Sequence, residues 1–143
     1  LDGDEVRENL SKGLGFSKED RDTNIRRIGY VAKLLARNGA IAVTAAISPY
    51  AEVRDQVRRS CGRFVEVYAE CSIEELCKRD VKGLYAKALS GEIKNFTGIS
   101  DPYEAPENAE IVVNSETQSA EESTAIVIEY LEKQGLIKAA QTA

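Results

Sequence analysis

The chain has 143 residues, 43% of them hydrophobic and 30% charged, which suits one globular domain over residues 1–143 rather than a disordered segment. Its 19 basic and 24 acidic residues leave a net charge of −5, which excludes nonspecific attraction to nucleic acid or to an acidic membrane surface. No apolar run approaches the roughly 20 residues of a membrane-spanning helix, so no membrane partner is expected.

The first predicted helix starts after Ser17, which forms a capping box with Asp20. Gly39 supplies a stop, so the pattern predicts a helix over residues 18–38. The apolar positions of this helix, spaced by three and four, are Ile25, Ile28, Ala32 and Leu35.

Short β-prone segments follow at residues 40–47, 64–69 and 110–113, and further capping boxes begin at Ser72 and Ser119. The segment 40–47 is almost continuously apolar, as expected for a strand covered on both faces. Strands that alternate with helices pair in parallel, which predicts a three-layer α/β domain with a mainly parallel sheet. Ligands of such domains lie beyond the carboxyl ends of the strands.

Three cysteines, Cys61, Cys71 and Cys77, lack a C-x-x-C spacing, and the chain has no histidine to complete a zinc set. We interpret them as reduced thiols, which predicts a cytoplasmic protein.

Asp2, Asp4 and Ser48 fall at expected strand ends, with Arg7 close by. A carboxylate there can hold Mg²⁺ through its water shell or accept a proton from a hydroxyl, and the guanidinium can bind phosphate or sulfate. Taken alone, the two acids are equally well explained as an ordinary acidic turn at a helix N-terminus. Ser48, which precedes Pro49, is sufficiently explained as the N-cap of the next helix.

Phe16, Arg21 and Asn24 form a second group, because the last two project from a similar side of the predicted helix. An aromatic ring beside a cation and an amide can bind a nucleotide. The alternative, favoured for these residues alone, is that Phe16 packs on the first turn while Arg21 and Asn24 are solvated.

Glycines and a proline interrupt residues 81–103, which also carry Lys82 and Phe96, and such a segment suits a mobile lid. Its cations, with Arg79 just before it as a candidate ATP ligand, can neutralise charge during phosphoryl transfer. The alternative is a solvated, lysine-bearing surface loop.

Taken together, several strings closely resemble those of adenylylsulfate kinases. They are Leu1-Asp-Gly-Asp4, Gly15-Phe-Ser17 with Asp20-Arg21 and Asn24-Ile-Arg-Arg27, Ile47-Ser-Pro49, Asp80-Val-Lys-Gly-Leu-Tyr85, and Gly91-Glu-Ile-Lys-Asn-Phe-Thr-Gly98. The resemblance is collinear and extends almost to the end of the chain. It implies a P-loop kinase fold and phosphoryl transfer from MgATP to the ribose 3′-hydroxyl of adenosine 5′-phosphosulfate, a step of sulfate assimilation.

The resemblance also implies roles for individual residues. The implied substrate-binding residues are Arg7, Phe16, Arg21, Asn24, Lys82 and Phe96. Phe16 and Phe96 would stack on the two faces of the adenine. Asp4 would orient the 3′-hydroxyl, Asp2 would lie near Mg²⁺, and Ser48 would lie near the transferred phosphate without an assigned chemical step.

One departure from the family is the absence of a G-x-x-x-x-G-K-[ST] string from the 143 residues. That loop binds the ATP phosphates and Mg²⁺, and the family carries it just upstream of the Asp-Gly-Asp segment. Since the chain also opens without methionine, we expect it to be cut or partly observed before Leu1. The N-terminal strand, the P-loop and the first helix would then be missing, and this fragment alone would be inactive.

The resemblance implies a homodimer, and a fused or associated ATP sulfurylase remains an option. Two alternative functions stay open at this point. One is a noncatalytic nucleotide-sensing domain of an ATP sulfurylase, which a degenerate upstream P-loop would favour. The other is a nucleoside monophosphate kinase, which shares the general fold and would prefer a plain monophosphate to the sulfated one.

Overall fold

The computed structural model describes residues 1–138, which contain six helices and two strands. In chain order these are α1 Gly3–Glu8, α2 Lys18–Arg37, α3 Ala51–Ser60, β1 Val67–Glu70, α4 Ile73–Arg79, α5 Leu84–Leu89, β2 Ile111–Asn114 and α6 Ala120–Lys133. The chain divides into two compact units. The first unit is Leu1–Phe64 with Lys87–Ala105, and the second is Val65–Ala86 with the chain from Pro106 onward. The single domain expected over residues 1–143 stays a prediction.

Helix α2 organises the first unit and confirms the helix predicted over residues 18–38. The Ser17 hydroxyl accepts a hydrogen bond from the Asp20 amide at 3.1 Å and donates one to the Asp20 carboxylate at 2.9 Å. Ile25 and Ile28 of this helix are buried, whereas Leu35 is 43% exposed. The hydrophobic cluster around them consists of Val6, Ile25, Ile28, Tyr50 and Val53, with Val57 packed against it.

Helices α2 and α3 approach each other closely at Gly29. A Cβ atom at position 29 would lie 2.6 Å from Cγ1 and 2.7 Å from Cγ2 of Val57. These distances are far below van der Waals contact, and Gly29 itself is buried. Because glycine has no Cβ atom, α3 can pack closely on α2 at Gly29.

We expect Gly29→Ala to lower the free energy of unfolding by about 1–2 kcal/mol, because overpacking outweighs the gain in helix propensity. Urea or thermal unfolding measures the change. Adding Val57→Ala removes the clashing methyl groups, so the double variant should be more stable than the sum of the two single effects. Gly62→Ala is the matched control, since a Cβ there meets nothing within 4 Å. Equal stability of the Gly29 and Gly62 variants would contradict this packing.

The segment 40–47 is not a strand, so that prediction was wrong. Its only β-bridge within the described chain is a parallel one between Ala45 and Asp2. The Ala45 amide donates to the Leu1 carbonyl at 3.0 Å, and the Leu1 amino group donates to the Val43 carbonyl at 2.7 Å. The apolar run predicted coverage on both faces, whereas the side chains of Ile41, Val43 and Ile47 are exposed. A strand requires pairing along several residues, and one bridge does not supply it.

In the second unit, β1 and β2 pair in parallel, with Val67 opposite Ile111 and Glu70 opposite Asn114. The parallel pairing is confirmed, although β1 begins at Val67 rather than at residue 64. Helix α6 begins with a complete capping box, in which the Ser119 hydroxyl accepts from the Glu122 amide and the Glu122 carboxylate accepts from the Ser119 amide. Ser17, Ser72 and Ser119 are thus all N-caps as predicted, and the reciprocal bond of a capping box is present at Ser119.

The cysteines Cys61, Cys71 and Cys77 are free thiols of intermediate burial. Among the helices of residues 1–138, none combines the length and the apolar character that crossing a bilayer requires.

Candidate functional site

The acidic segment at the start of the chain forms the beginning of helix α1. Asp2 is the N-cap, and its Oδ1 accepts hydrogen bonds from the amides of Asp4 at 2.9 Å and Glu5 at 3.2 Å. The structure therefore confirms that this acidic segment forms a helix N-terminus. Both capping bonds use one carboxylate oxygen of Asp2, and the exposed Asp4 lies in the first turn.

Gly3 brings this helix start against the Ala45 segment, since a Cβ there would lie 3.0 Å from the Ala45 carbonyl oxygen. The Asp2–Ala45 bridge is parallel, so the residues after Asp2 and those after Ala45 run in the same direction. Asp4 and Ser48 consequently follow the bridge at the same end. The acids and the hydroxyl that the sequence analysis placed at strand ends thus lie within three residues of this bridge along the chain.

Two guanidinium groups lie beside the Phe16 ring, with Arg7 Cζ 4.5 Å and Arg21 Cζ 5.4 Å from the ring centroid. Such distances allow cation–π attraction. Arg7 Nη1 also donates a hydrogen bond to the Gly15 carbonyl at 3.0 Å. Burial lowers the pKa of the Arg7 guanidinium from its ordinary value, and repulsion from Arg21 lowers it further. Phe16 remains 57% exposed.

Arg21 is only 8% exposed, so the alternative in which it is solvated was wrong. Its Nε donates to the Phe16 carbonyl at 2.9 Å, and its Nη2 donates to the Asn95 carbonyl at 2.6 Å. The first acceptor is five residues away and the second is 74 residues away. Arg21 therefore links the backbone beside Phe16 to the backbone beside Phe96.

Phe96 belongs to a tight turn within residues 95–101. Its carbonyl accepts hydrogen bonds from the amides of Ile99, Ser100 and Asp101, and its amide donates to the Ser100 hydroxyl at 2.9 Å. Asn95 adopts a φ of 56°, a left-handed conformation that asparagine tolerates better than most residues. The predicted lid thus has an ordered turn where Phe96 is located.

Asn24, one helical turn after Arg21, is only 5% exposed. The alternative interpretation, in which Asn24 is solvated, was therefore also wrong. Its Oδ1 is buried and has no hydrogen-bond partner among the described residues. The same holds for Oγ1 of Thr97, a residue that the sequence analysis quoted in its motif but did not select. Buried polar atoms normally have partners, so both atoms are candidates for bonds to a ligand.

Ser48 is not an N-cap, so this prediction was also wrong. Helix α3 begins at Ala51, and its N-cap residue Tyr50 makes no side-chain capping bond. Instead, the Glu104 carboxylate accepts from the Ala51 amide at 2.6 Å. Ser48 has a φ of 43°, a conformation that costs a non-glycine residue about 1–3 kcal/mol. Its Oγ is buried and unpartnered within residues 1–138.

Arg79 and Lys82 belong to the second unit. Arg79 Nε donates to Glu75 Oε1 at 3.0 Å, and its Nη2 donates to the Ser115 carbonyl at 2.8 Å. Lys82 lies in the turn between α4 and α5, where the Asp80 carboxylate accepts from the amides of Ala86 and Tyr85. These two bonds lower the pKa of Asp80 below its ordinary value. Roles of Arg79 and Lys82 toward nucleotides stay predictions.

Parallel strands connected through helices, together with a cation–aromatic cluster, are typical of α/β nucleotide-binding proteins, and the comparisons below assign this chain to the P-loop NTPase-like class. The sequence profile described as Adenylylsulphate kinase matches residues 1–114. The chain belongs to the adenylylsulphate kinase family, a family of phosphotransferases.

Two relatives illustrate the match. The chain is 58% identical over 137 residues to "Adenylyl-sulfate kinase" of Rippkaea orientalis, covering 96% of this chain and 76% of that protein. It is 66% identical over 137 residues to "Probable bifunctional SAT/APS kinase 2" of Sorangium cellulosum, again covering 96% of this chain. The chain spans only 24% of that longer relative.

Two solved structures of APS kinases are also similar to this chain. The APS kinase CysC of Mycobacterium tuberculosis, in complex with AMPPNP and APS, superposes with a TM-score of 0.86 at 42% identity, covering 92% of this chain and 78% of that one. The hexameric APS kinase from Thiobacillus denitrificans has a TM-score of 0.69 at 33% identity, covering 96% of this chain and 23% of that one.

Proposed function

We propose that the protein containing this chain is an adenylyl-sulfate kinase. It transfers a phosphoryl group from MgATP to the ribose 3′-hydroxyl of adenosine 5′-phosphosulfate, which gives 3′-phosphoadenylylsulfate. The observation that carries this proposal is the convergence, within the first unit, of Arg7 and Arg21 on the exposed ring of Phe16. The M. tuberculosis relative in complex with AMPPNP and APS supports the choice of nucleotides.

Phe16 stacks on the adenine, and the two guanidinium groups bind the phosphosulfate anion. Arg7 and Arg21 repel each other, as the lowered pKa of Arg7 indicates, and Arg7 is partly desolvated. A bound anion offsets the repulsion between the two cations and supplies hydrogen-bond acceptors in place of water, and guanidinium groups form strong, charge-assisted bonds with phosphate and sulfate oxygens. Asn24 supplies its buried Oδ1 as an acceptor for the same ligand. We also propose that Phe96 and Lys82 complete this site from the lid over residues 81–103.

Asp4 orients the acceptor 3′-hydroxyl and accepts its proton as the new bond forms. Its exposed position in the first turn of α1 suits this role. Ser48 lies near the transferred phosphate, with a buried hydroxyl that the described chain leaves without a partner.

Mg²⁺ neutralises charge on the ATP phosphates when it is bound. Within residues 1–138, no group of three or more potential metal-ligating side chains is present. Mg²⁺ typically keeps several waters and binds through one or two carboxylates and the nucleotide phosphates. Asp2 would hold it through water, since both capping bonds of Asp2 use Oδ1 alone. Arg79 is our candidate for an additional ATP ligand.

We further propose a homodimer in the cytoplasm. The free thiols of Cys61, Cys71 and Cys77 support a reducing compartment. The relative whose name pairs SAT with APS kinase supports a fused or associated ATP sulfurylase.

A coupled assay on the complete polypeptide tests the proposal by measuring ADP formation with ATP, Mg²⁺ and adenosine 5′-phosphosulfate. ADP formation that depends on the sulfated nucleotide is the expected result. Absence of turnover combined with tight binding of 3′-phosphoadenylylsulfate would instead identify a sensing domain. Faster ADP formation with AMP as the acceptor would identify a nucleoside monophosphate kinase.

A further inference from the structure

The backbone from Ser48 to Ala51 is held by Arg54 and Glu104, neither of which has been assigned a role in catalysis so far. Arg54 Nη1 donates to the Ser48 carbonyl at 2.8 Å, and Arg54 Nη2 donates to the Glu104 carbonyl at 2.6 Å. Glu104 in turn donates its amide to the Pro49 carbonyl at 2.8 Å and accepts from the Ala51 amide at 2.6 Å. We refer to these two residues as the Arg54–Glu104 pair.

These contacts explain how a strained residue persists. Ser48 has a φ of 43°, and such a conformation is retained only when the surrounding structure over-determines it. The bonds fix the carbonyls of Ser48 and Pro49 and the amide of Ala51, and none of them uses the Ser48 side chain. The backbone is therefore fixed while Ser48 Oγ remains buried and without a partner in the described chain.

Capping of helix α3 alone does not require this arrangement. The Glu104 carboxylate already satisfies the Ala51 amide, whereas Arg54 reaches back six residues to a carbonyl outside the helix. A guanidinium group presents its donors in a rigid fork, so one side chain fixes the Ser48 and Glu104 carbonyls in relation to each other. The bond from Arg54 to the Ser48 carbonyl thus constrains the residue whose hydroxyl is available to a ligand.

We propose that Arg54 and Glu104 are positioning residues that hold Ser48 in its left-handed conformation, so that its hydroxyl contacts the transferred phosphate. This inference rests on the kinase function proposed above. It predicts that removing the pair lowers turnover through Ser48, in addition to any effect on stability.

The test compares Arg54→Met with Arg59→Met in the complete polypeptide. Both changes remove an arginine from α3, but Arg59 is exposed and serves as the control. Arg54→Met should lower kcat about tenfold and change KM for either nucleotide less than about twofold, because the phosphate contact matters most during transfer. Arg59→Met should leave both constants unchanged. Arg54→Lys keeps a donor for the Ser48 carbonyl and should recover part of the kcat.

A double-mutant cycle with Ser48→Ala separates positioning from stability. Ser48→Ala alone should also lower kcat about tenfold, and adding Arg54→Met should lower it little further, while the melting temperature falls by the same amount in both backgrounds. Additive losses in kcat, or normal kcat in Ser48→Ala, would overturn the inference. If Arg54→Met fails to fold, Glu104→Leu replaces it in the same cycle. An inactive wild-type enzyme would refute the proposed function, whereas an active one with additive losses refutes only the positioning role.

Discussion

Replacing Asp4 with asparagine is expected to lower kcat by about 100-fold, with little change in KM for adenosine 5′-phosphosulfate. Asparagine keeps the size of the side chain and can still accept a hydrogen bond. It cannot take up the proton of the 3′-hydroxyl, and its amide oxygen is a weaker hydrogen-bond acceptor than a carboxylate. Steady-state kinetics of the complete polypeptide, followed by coupled detection of ADP, measures both constants.

Glu5→Gln is the matched control for this change. Both acids lie in the first turn of α1, and Asp2 caps the amides of both residues. Each substitution removes one negative charge near the helix N-terminus, so the two should have similar effects on stability. Only the change at Asp4 should affect kcat. Equal kinetics of the two variants would show that Asp4 does not act on the acceptor hydroxyl.

Arg21→Ala should weaken the binding of adenosine 5′-phosphosulfate by about two orders of magnitude, since a guanidinium group that binds the anion is lost. The same change should lower the free energy of unfolding by about 2 kcal/mol, because the carbonyls of Phe16 and Asn95 lose their donor. Isothermal titration calorimetry measures the affinity, and urea unfolding measures the stability.

Two further variants distinguish these effects. Arg26→Ala removes an exposed arginine from the same helix and should leave affinity unchanged. Arg21→Lys keeps the positive charge but not the planar fork, so affinity should recover only in part. Wild-type affinity of a folded Arg21→Ala variant would remove Arg21 from the substrate site.

The elements predicted well from the sequence are those determined by neighbouring residues. Helix α2 starts after Ser17, and α6 starts after Ser119, because each serine satisfies an amide three residues further on. Residues 40–47 and Ser48 were misassigned because their structure depends on distant partners. Among the described residues, the only bridge of that segment connects Ala45 with Asp2, and the cap of α3 comes from Glu104, 53 residues after Ala51.

In the candidate site, too, the features set by neighbouring residues were predicted and those set by distant residues were not. Its residue types were apparent from the motifs around Phe16, but the burial of Arg21 and Asn24 was not. Taken alone, both residues were interpreted as solvated, yet each lies four residues before an isoleucine, Ile25 or Ile28, and therefore on the buried face of the helix. Arg21 is also covered through a bond to Asn95, 74 residues away, and no local pattern indicates such a contact.

If Arg21 binds the substrate anion as we propose, its bond to the Asn95 carbonyl links ligand affinity thermodynamically to the order of the Phe96 turn. One guanidinium group contributes to both, so an anion that fixes Arg21 also favours the conformation in which residues 95–101 dock on it. Reciprocity requires that a turn already docked increases affinity for the anion by the same factor. Under the proposed function, one side chain would thus couple substrate binding to the order of the turn that carries Phe96.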